Sequence, residues 1–254
     1  MSLPMTYEPL TQYQRGTTKK TPLFLIHAAS GLSLPYFSMY PIDRPLYGIT
    51  NPYFNEPVDQ PNRLEFKTIP EMAQAYLRLI RKVQPRGPYL IGGWSFGGVL
   101  ALELAQQLTR QDEVVLHVVL VDSGHSHDVK FPETYDYTFV DRLLSRSPGM
   151  DPDMQSKIRE SYRNAQYLMA THHTAPYYGK VTLINCTEWD EESNRHGPDH
   201  QIERKMFESG NNGWGDRLLN LNVVNIAAAH DDVFDPDHVH TTSNLIRDAV
   251  AEYP

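Results

Sequence analysis

The chain has 254 residues, 40% of them hydrophobic and 21% charged, and a net charge of −8. That length suits one well-buried α/β domain with some chain to spare, and the acidic balance argues against nucleic acid and anionic membrane as partners. No apolar stretch approaches the ~20 residues of a membrane span, and Met1–Thr6 lacks the charged and apolar regions of a signal peptide. The only cysteine, Cys186, lies in an apolar run. It permits no intramolecular disulfide, and a cytoplasmic setting is the expectation.

Residues up to about Lys20 are polar and weakly patterned and predict an edge element or a tail. Leu23–Ile26 is continuously apolar and reads as a buried strand, with Leu46–Ile49 as a second. Thr68-Ile69-Pro70-Glu71 is a capping box with Pro in the first turn. It opens a helix to about Val83, with Met72, Ala75, Tyr76, Leu79 and Ile80 on one face. Val114–Val121, Val181–Cys186 and Leu221–Ala227 predict three more buried strands, and a helix over about Pro236–Glu252 closes the chain. Apolar strands alternating with helices imply a mostly parallel sheet covered by helices on both faces, with the ligand site at the strands' carboxyl ends. Residues 126–178 break this rhythm: no strand signal, two helical patterns, and many Tyr and Met. They predict a helical lid inserted within a single domain spanning 1–254; the alternative is a pair of helices packed on the flank.

Between the early helix and the Val114 strand stands Gly93-Trp94-Ser95-Phe96-Gly97, preceded by the apolar run Tyr89-Leu90-Ile91 and followed by a helical run from Val99. This is G-x-S-x-G in a strand–turn–helix setting, where a sharp turn presents the serine hydroxyl at the sheet edge. Ser95 is therefore the candidate nucleophile. Gly93 and Gly97 would let strand and helix pass closely, and Gly98 with the first helical amides would add a positive field beside the hydroxyl.

A serine needs a base, and the base needs an acid. His230 follows the last strand in Ala227-Ala228-Ala229-His230, where a loop can return it to the nucleophile. Of the other histidines, His117 is inside a strand, His172 and His173 lie in the lid region, and His196 and His200 lie in the polar loop Glu191–Gln201. For the acid, the residues leave two positions open: Asp122, directly ending the Val114–Val121 strand, or Glu188 and Asp190 after the next strand. The oxyanion of an acyl-transfer intermediate needs two backbone donors. These are expected from Phe96, after the nucleophile, and from Ala28 in the small-residue loop His27-Ala28-Ala29-Ser30-Gly31. Trp94, His27 and Tyr36 are candidate substrate contacts, His27 also as a brace for its loop. No His/Cys cluster has metal-ligand spacing, so neither a metal nor another cofactor is expected.

The segment Gly93-Trp94-Ser95-Phe96-Gly97-Gly98 resembles the elbow of product-releasing thioesterase domains of polyketide synthases and nonribosomal peptide synthetases. Pro22–His27 with Gly31, Arg44-Pro45-Leu46-Tyr47-Gly48-Ile49, Ile69–Ala73 and Asn212-Gly213-Trp214 resemble further motifs of that family in the same order. Asn51-Pro52-Tyr53-Phe54 is most similar to fungal members. The oxyanion loop, His-Ala-Ala-Ser-Gly, departs from the family's usual H-P-G-G-G. The resemblance implies an α/β-hydrolase fold and favours Asp122 as acid. It implies an acyl substrate delivered on the phosphopantetheine arm of an acyl carrier protein, released by hydrolysis or cyclisation. A carboxylesterase or lipase with the same triad is the competing expectation, and a catalytically blunted binding protein of the same fold the second. For carrier docking, Arg78, Arg81, Lys82 and Arg86 form a candidate basic patch; a solvated helix face is the plainer reading.

Overall fold

Seven strands pair in one sheet, in the order β1-β3-β2-β4-β5-β6-β7. They are β1 (Leu10–Gln14), β2 (Leu23–Ile26), β3 (Leu46–Ile49), β4 (Tyr89–Trp94), β5 (Val115–Val121), β6 (Val181–Cys186) and β7 (Leu221–Ile226). The computed structural model describes residues 7–16, 19–56, 66–125, 131, 135–147, 149–189 and 200–254. The polar N-terminal stretch supplies β1, the one antiparallel strand, on the edge beside β3. Every other pairing is parallel. β2, β4 and the end of β5 are buried on both faces, which explains their unbroken apolar sequence.

The helices are α1 (Ile69–Val83), α2 (Phe96–Thr109), α3 (Thr138–Ser145), α4 (Pro152–Thr171), α5 (His200–Glu208) and α6 (Val239–Ala249). The Thr68 hydroxyl caps α1 by accepting from the Glu71 amide at 3.2 Å, while the Glu71 carboxylate accepts from the Lys67 amide. The buried face of α1 is Ile69, Met72, Ala73, Tyr76, Leu77 and Ile80. It is turned slightly from the expected stripe, because Ala75 and Leu79 sit at its margin. α1 and α2 cover one face of the sheet in a core with Phe24, Ile91 and Val118. α6 covers the other, against Leu23, Leu25, Leu90 and Val119. The short helix α5 was not expected: His200, read as part of a polar loop, begins it. The rest of that loop, with Asp190 and His196, lies outside the described residues.

Within 126–178, the described chain holds α3 and α4. Val140 and Leu144 of α3 and Ile158 of α4 pack with Leu32 and Phe54, residues of the loops that follow β2 and β3. A salt bridge at 3.6 Å joins Arg146, at the end of α3, to Asp232 in the loop after β7. Both helices are thus tied to the carboxyl-end loops of the sheet.

Candidate active site

β4 sits between β2 and β5, so its carboxyl end lies where the chain order reverses along the sheet. Ser95 follows directly and adopts φ 55°, ψ −124°, a left-handed conformation strained for a serine. Its amide donates to the Val121 carbonyl, fixing the turn against β5. Two glycines make the turn possible. A Cβ on Gly93 would lie 2.4 Å from Gly97 backbone atoms, and one on Gly97 2.3 Å from the Ile26 carbonyl oxygen and 2.5 Å from that of His27. Gly97 therefore lets the start of α2 close on the loop after β2. The Gly98 amide is not free to act on a substrate, because it donates to the Ser95 carbonyl at 3.0 Å.

The register of β4 with β5 pairs Trp94 with Val121, which brings Ser95 and Asp122 side by side. His230, in the short 3₁₀ turn after β7, completes a chain of hydrogen bonds. Its Nε2 is 3.1 Å from Ser95 Oγ, and its Nδ1 is 2.7 Å from Asp122 Oδ2. The carboxylate can only accept, so in the neutral ring Nδ1 carries the proton and Nε2 faces the hydroxyl as acceptor. Burial pushes the Asp122 pKa up. The hydrogen bond and charge of His230, with donors from the Cys186 amide and the Asn212 side chain, outweigh burial and hold it below the usual carboxylate range. Glu188 is exposed.

Ala28 lies in the loop after β2, and among the described residues its amide donates no hydrogen bond. Phe96 is the first residue of α2, so its amide has no carbonyl one turn back within the helix. Both amides flank the close approach at Gly97. His27 and Tyr36 are placed differently from expectation. His27 is 2% exposed; its Nδ1 donates to the Ala28 carbonyl and its Nε2 accepts from the Tyr76 hydroxyl. Burial lowers its pKa to about 4, so the ring is neutral. Tyr36 is 1% exposed; its hydroxyl donates to the Ile26 carbonyl at 2.6 Å and accepts from the Trp94 amide at 3.0 Å. Neither ring offers a face or a polar atom to a substrate, and we read both as braces behind the site. Trp94 is half-buried, its ring 5.7 Å from that of His230 and 5.4 Å from that of Phe234.

Asn212 has no role that its sequence context suggests. Asn212 donates through Nδ2 to Asp122 Oδ1 at 2.8 Å. The Asn212-Gly213 pair signals a turn with positive φ, but nothing local says that the turn reaches the acid. Of the basic candidates, Arg78 and Lys82 line a cleft with Pro52, Tyr53 and Glu56, while Arg81 and Arg86 lie where α1 ends and the chain turns towards β4. There Arg81 donates to Gln111 and Arg86 pairs with Glu113, as a solvated face would. Among the described residues no group of three or more His, Cys, Asp or Glu could hold a metal ion. No helix among them is long and apolar enough to cross a membrane.

The chain is 30% identical to "Thioesterase pytI" of Aspergillus terreus, over 89% of this chain and 93% of that protein. It is 24% identical to "Non-reducing polyketide synthase stmB" of Aspergillus ustus, over 93% of this chain but 13% of the synthase. Among solved structures, the NocB thioesterase domain in covalent complex with a fluorophosphonate nocardicin G analog superposes with a TM-score of 0.72. It is 31% identical, with 91% of this chain and 94% of that one covered. The thioesterase-domain family profile matches residues 21–142. With sequence likeness along most of its length and the same α/β-hydrolase architecture, the chain belongs to the thioesterase family and is a hydrolase of thioesters.

Proposed function

We propose that this thioesterase releases a polyketide or peptide acyl chain from the phosphopantetheine thioester of a carrier protein, through an acyl-serine intermediate. The observation that carries the reading is the hydrogen-bond chain Ser95–His230–Asp122 at the end of β4. Ser95 Oγ attacks the thioester carbonyl and passes its proton to His230 Nε2, while Asp122 holds the ring and stabilises the imidazolium. The amides of Ala28 and Phe96 receive the oxyanion. Collapse breaks the C–S bond, and the imidazolium returns the proton to the departing thiolate. His230 then deprotonates water or an internal hydroxyl or carbon nucleophile, which attacks the acyl-serine carbonyl. Collapse breaks the acyl–Oγ bond, the imidazolium returns the proton to Ser95, and the product leaves as a free acid or a cyclic product. The arm is part of the substrate, and the scheme needs no metal or redox cofactor.

The likeness to a segment of a polyketide synthase supports a carrier domain as partner. The packing of α3 and α4 on the carboxyl-end loops supports a lid over 126–178, with Trp94 in the wall beneath it. A cytoplasmic setting suits the buried free thiol of Cys186. The test is intact-protein mass after incubation with acyl-N-acetylcysteamine thioesters, for the wild type and Ser95→Ala. A transient acyl adduct on the wild type alone is expected. Rapid turnover of short p-nitrophenyl esters without any thioester adduct would favour a carboxylesterase instead.

A further inference from the structure

The turn before β7 grips the segment that leaves β5 at several points. Asn212 Nδ2 donates to Asp122 Oδ1, and the Asn212 carbonyl accepts from the His125 amide at 2.9 Å. Trp214 Nε1 donates to the Ser123 carbonyl at 2.8 Å, and its indole stacks on the His125 ring at 5.1 Å. Asn212 is 7% exposed and has φ +50°, a conformation Asn and Asp tolerate better than most residues. Gly213 follows because a Cβ there would lie 2.4 Å from the His125 carbonyl oxygen.

The two oxygens of Asp122 are used differently. Oδ2 meets His230 Nδ1, whereas Oδ1 takes two donors, the Cys186 amide at 3.0 Å and the Asn212 amide at 2.8 Å. One donor would leave the carboxylate free to swing about its Cβ–Cγ bond. Two donors on one oxygen, from β6 and from the 211–214 turn, fix its plane. We propose that Asn212 is a positioning residue for the reaction, holding Asp122 Oδ1 so that Oδ2 stays aimed at His230. The inference rests on the triad reading given above. Asn is suited to the task because a carboxylate only accepts, and the Asn side chain supplies a donor without a charge. An Asp at this position would have the same shape but would set an acceptor against an acceptor.

The test is the rate at which a fluorophosphonate probe labels Ser95, together with the downfield proton resonance of His230 Nδ1–H, in the whole chain. Asn212→Asp and Asn212→Ala are compared with Trp214→Phe, which removes the bond to Ser123 from the same turn and leaves the Asp122 contacts in place. Loss of a hydrogen bond to a charged group predicts labelling about ten- to a hundred-fold slower for both Asn212 variants, with the proton resonance shifted or broadened. Trp214→Phe should lower the melting temperature and leave both readouts as in the wild type. Unchanged labelling in Asn212→Asp overturns the inference, as does slowing that only follows lost stability across all three variants. A wild type that does not label overturns the triad reading and this inference with it.

Discussion

Replacing Tyr36 by Phe removes one oxygen atom and two hydrogen bonds. The hydroxyl bridges the Ile26 carbonyl, at the end of β2, and the Trp94 amide, just before Ser95. It therefore ties the two arms that carry Ala28 and Phe96. Without it the Trp94 amide is left buried and unpaired, a loss of about 1–3 kcal/mol, and the Ile26 carbonyl loses a bond worth about 1 kcal/mol net. The ring contact with Phe234, at 5.3 Å, is kept. A loss of about 3 kcal/mol should lower the melting temperature by about 6–12 °C in a domain of this size, and calorimetry measures it directly. Fluorophosphonate labelling of Ser95 should slow as the two arms loosen, with KM for an acyl-N-acetylcysteamine thioester little changed. A melting temperature within about 2 °C of the wild type, with a raised KM and unchanged kcat, would refute this account. It would make Tyr36 a substrate contact instead.

Other outcomes follow from the same geometry. Gly97→Ala drives a Cβ into two backbone carbonyls of the opposing loop; overpacking of about 1–3 kcal/mol and a large loss of labelling are expected, read by denaturation and probe kinetics. Asp122→Asn should lower kcat about 10⁴-fold, the size seen when a triad acid is amidated in serine proteases, while Glu188→Gln should leave kcat as in the wild type. His27 is held neutral, with its pKa lowered to about 4 by burial. Between about pH 6.5 and 4 the unfolded chain binds the proton that the folded chain refuses, so stability should fall as pH falls through that window. The difference reaches about 3 kcal/mol by pH 4; urea titrations of the wild type and His27→Gln measure it, and a variant with the same pH slope would count against it.

Much of the site could be read from the chain because the relevant signals are local. The apolar run, the G-x-S-x-G turn and the helical run that mark Ser95 occupy consecutive residues, and the strained φ of Ser95 follows from that turn. The candidate oxyanion loop is a local signal of the same kind, small residues directly after a strand. The choice between candidate acids was not legible in this way. Asp122 and Glu188 both follow buried strands, and only the family resemblance separated them before the structure showed that His230 Nδ1 meets Asp122. α5 escaped the sequence because its nine residues offer only Ile202, Met206 and Phe207 as apolar positions beside a polar stretch, too few to mark a helix by period.

The sequence by itself determined the buried strands, the elbow and the candidate pair Ser95 and His230, since periodicity and turn chemistry act over a few residues, whereas the edge strand β1 carried no such pattern. The tertiary structure decided which distant groups meet. The β4–β5 register set Asp122 beside Ser95. The turn before β7 brought Asn212 onto the acid's second oxygen, across 90 positions of chain. The same packing took His27 and Tyr36, polar aromatic residues in a promising loop, out of reach of a substrate and used their polar atoms as braces. Such contacts depend on strand order and on how loops cross the sheet edge, and those follow from burying the whole core at once.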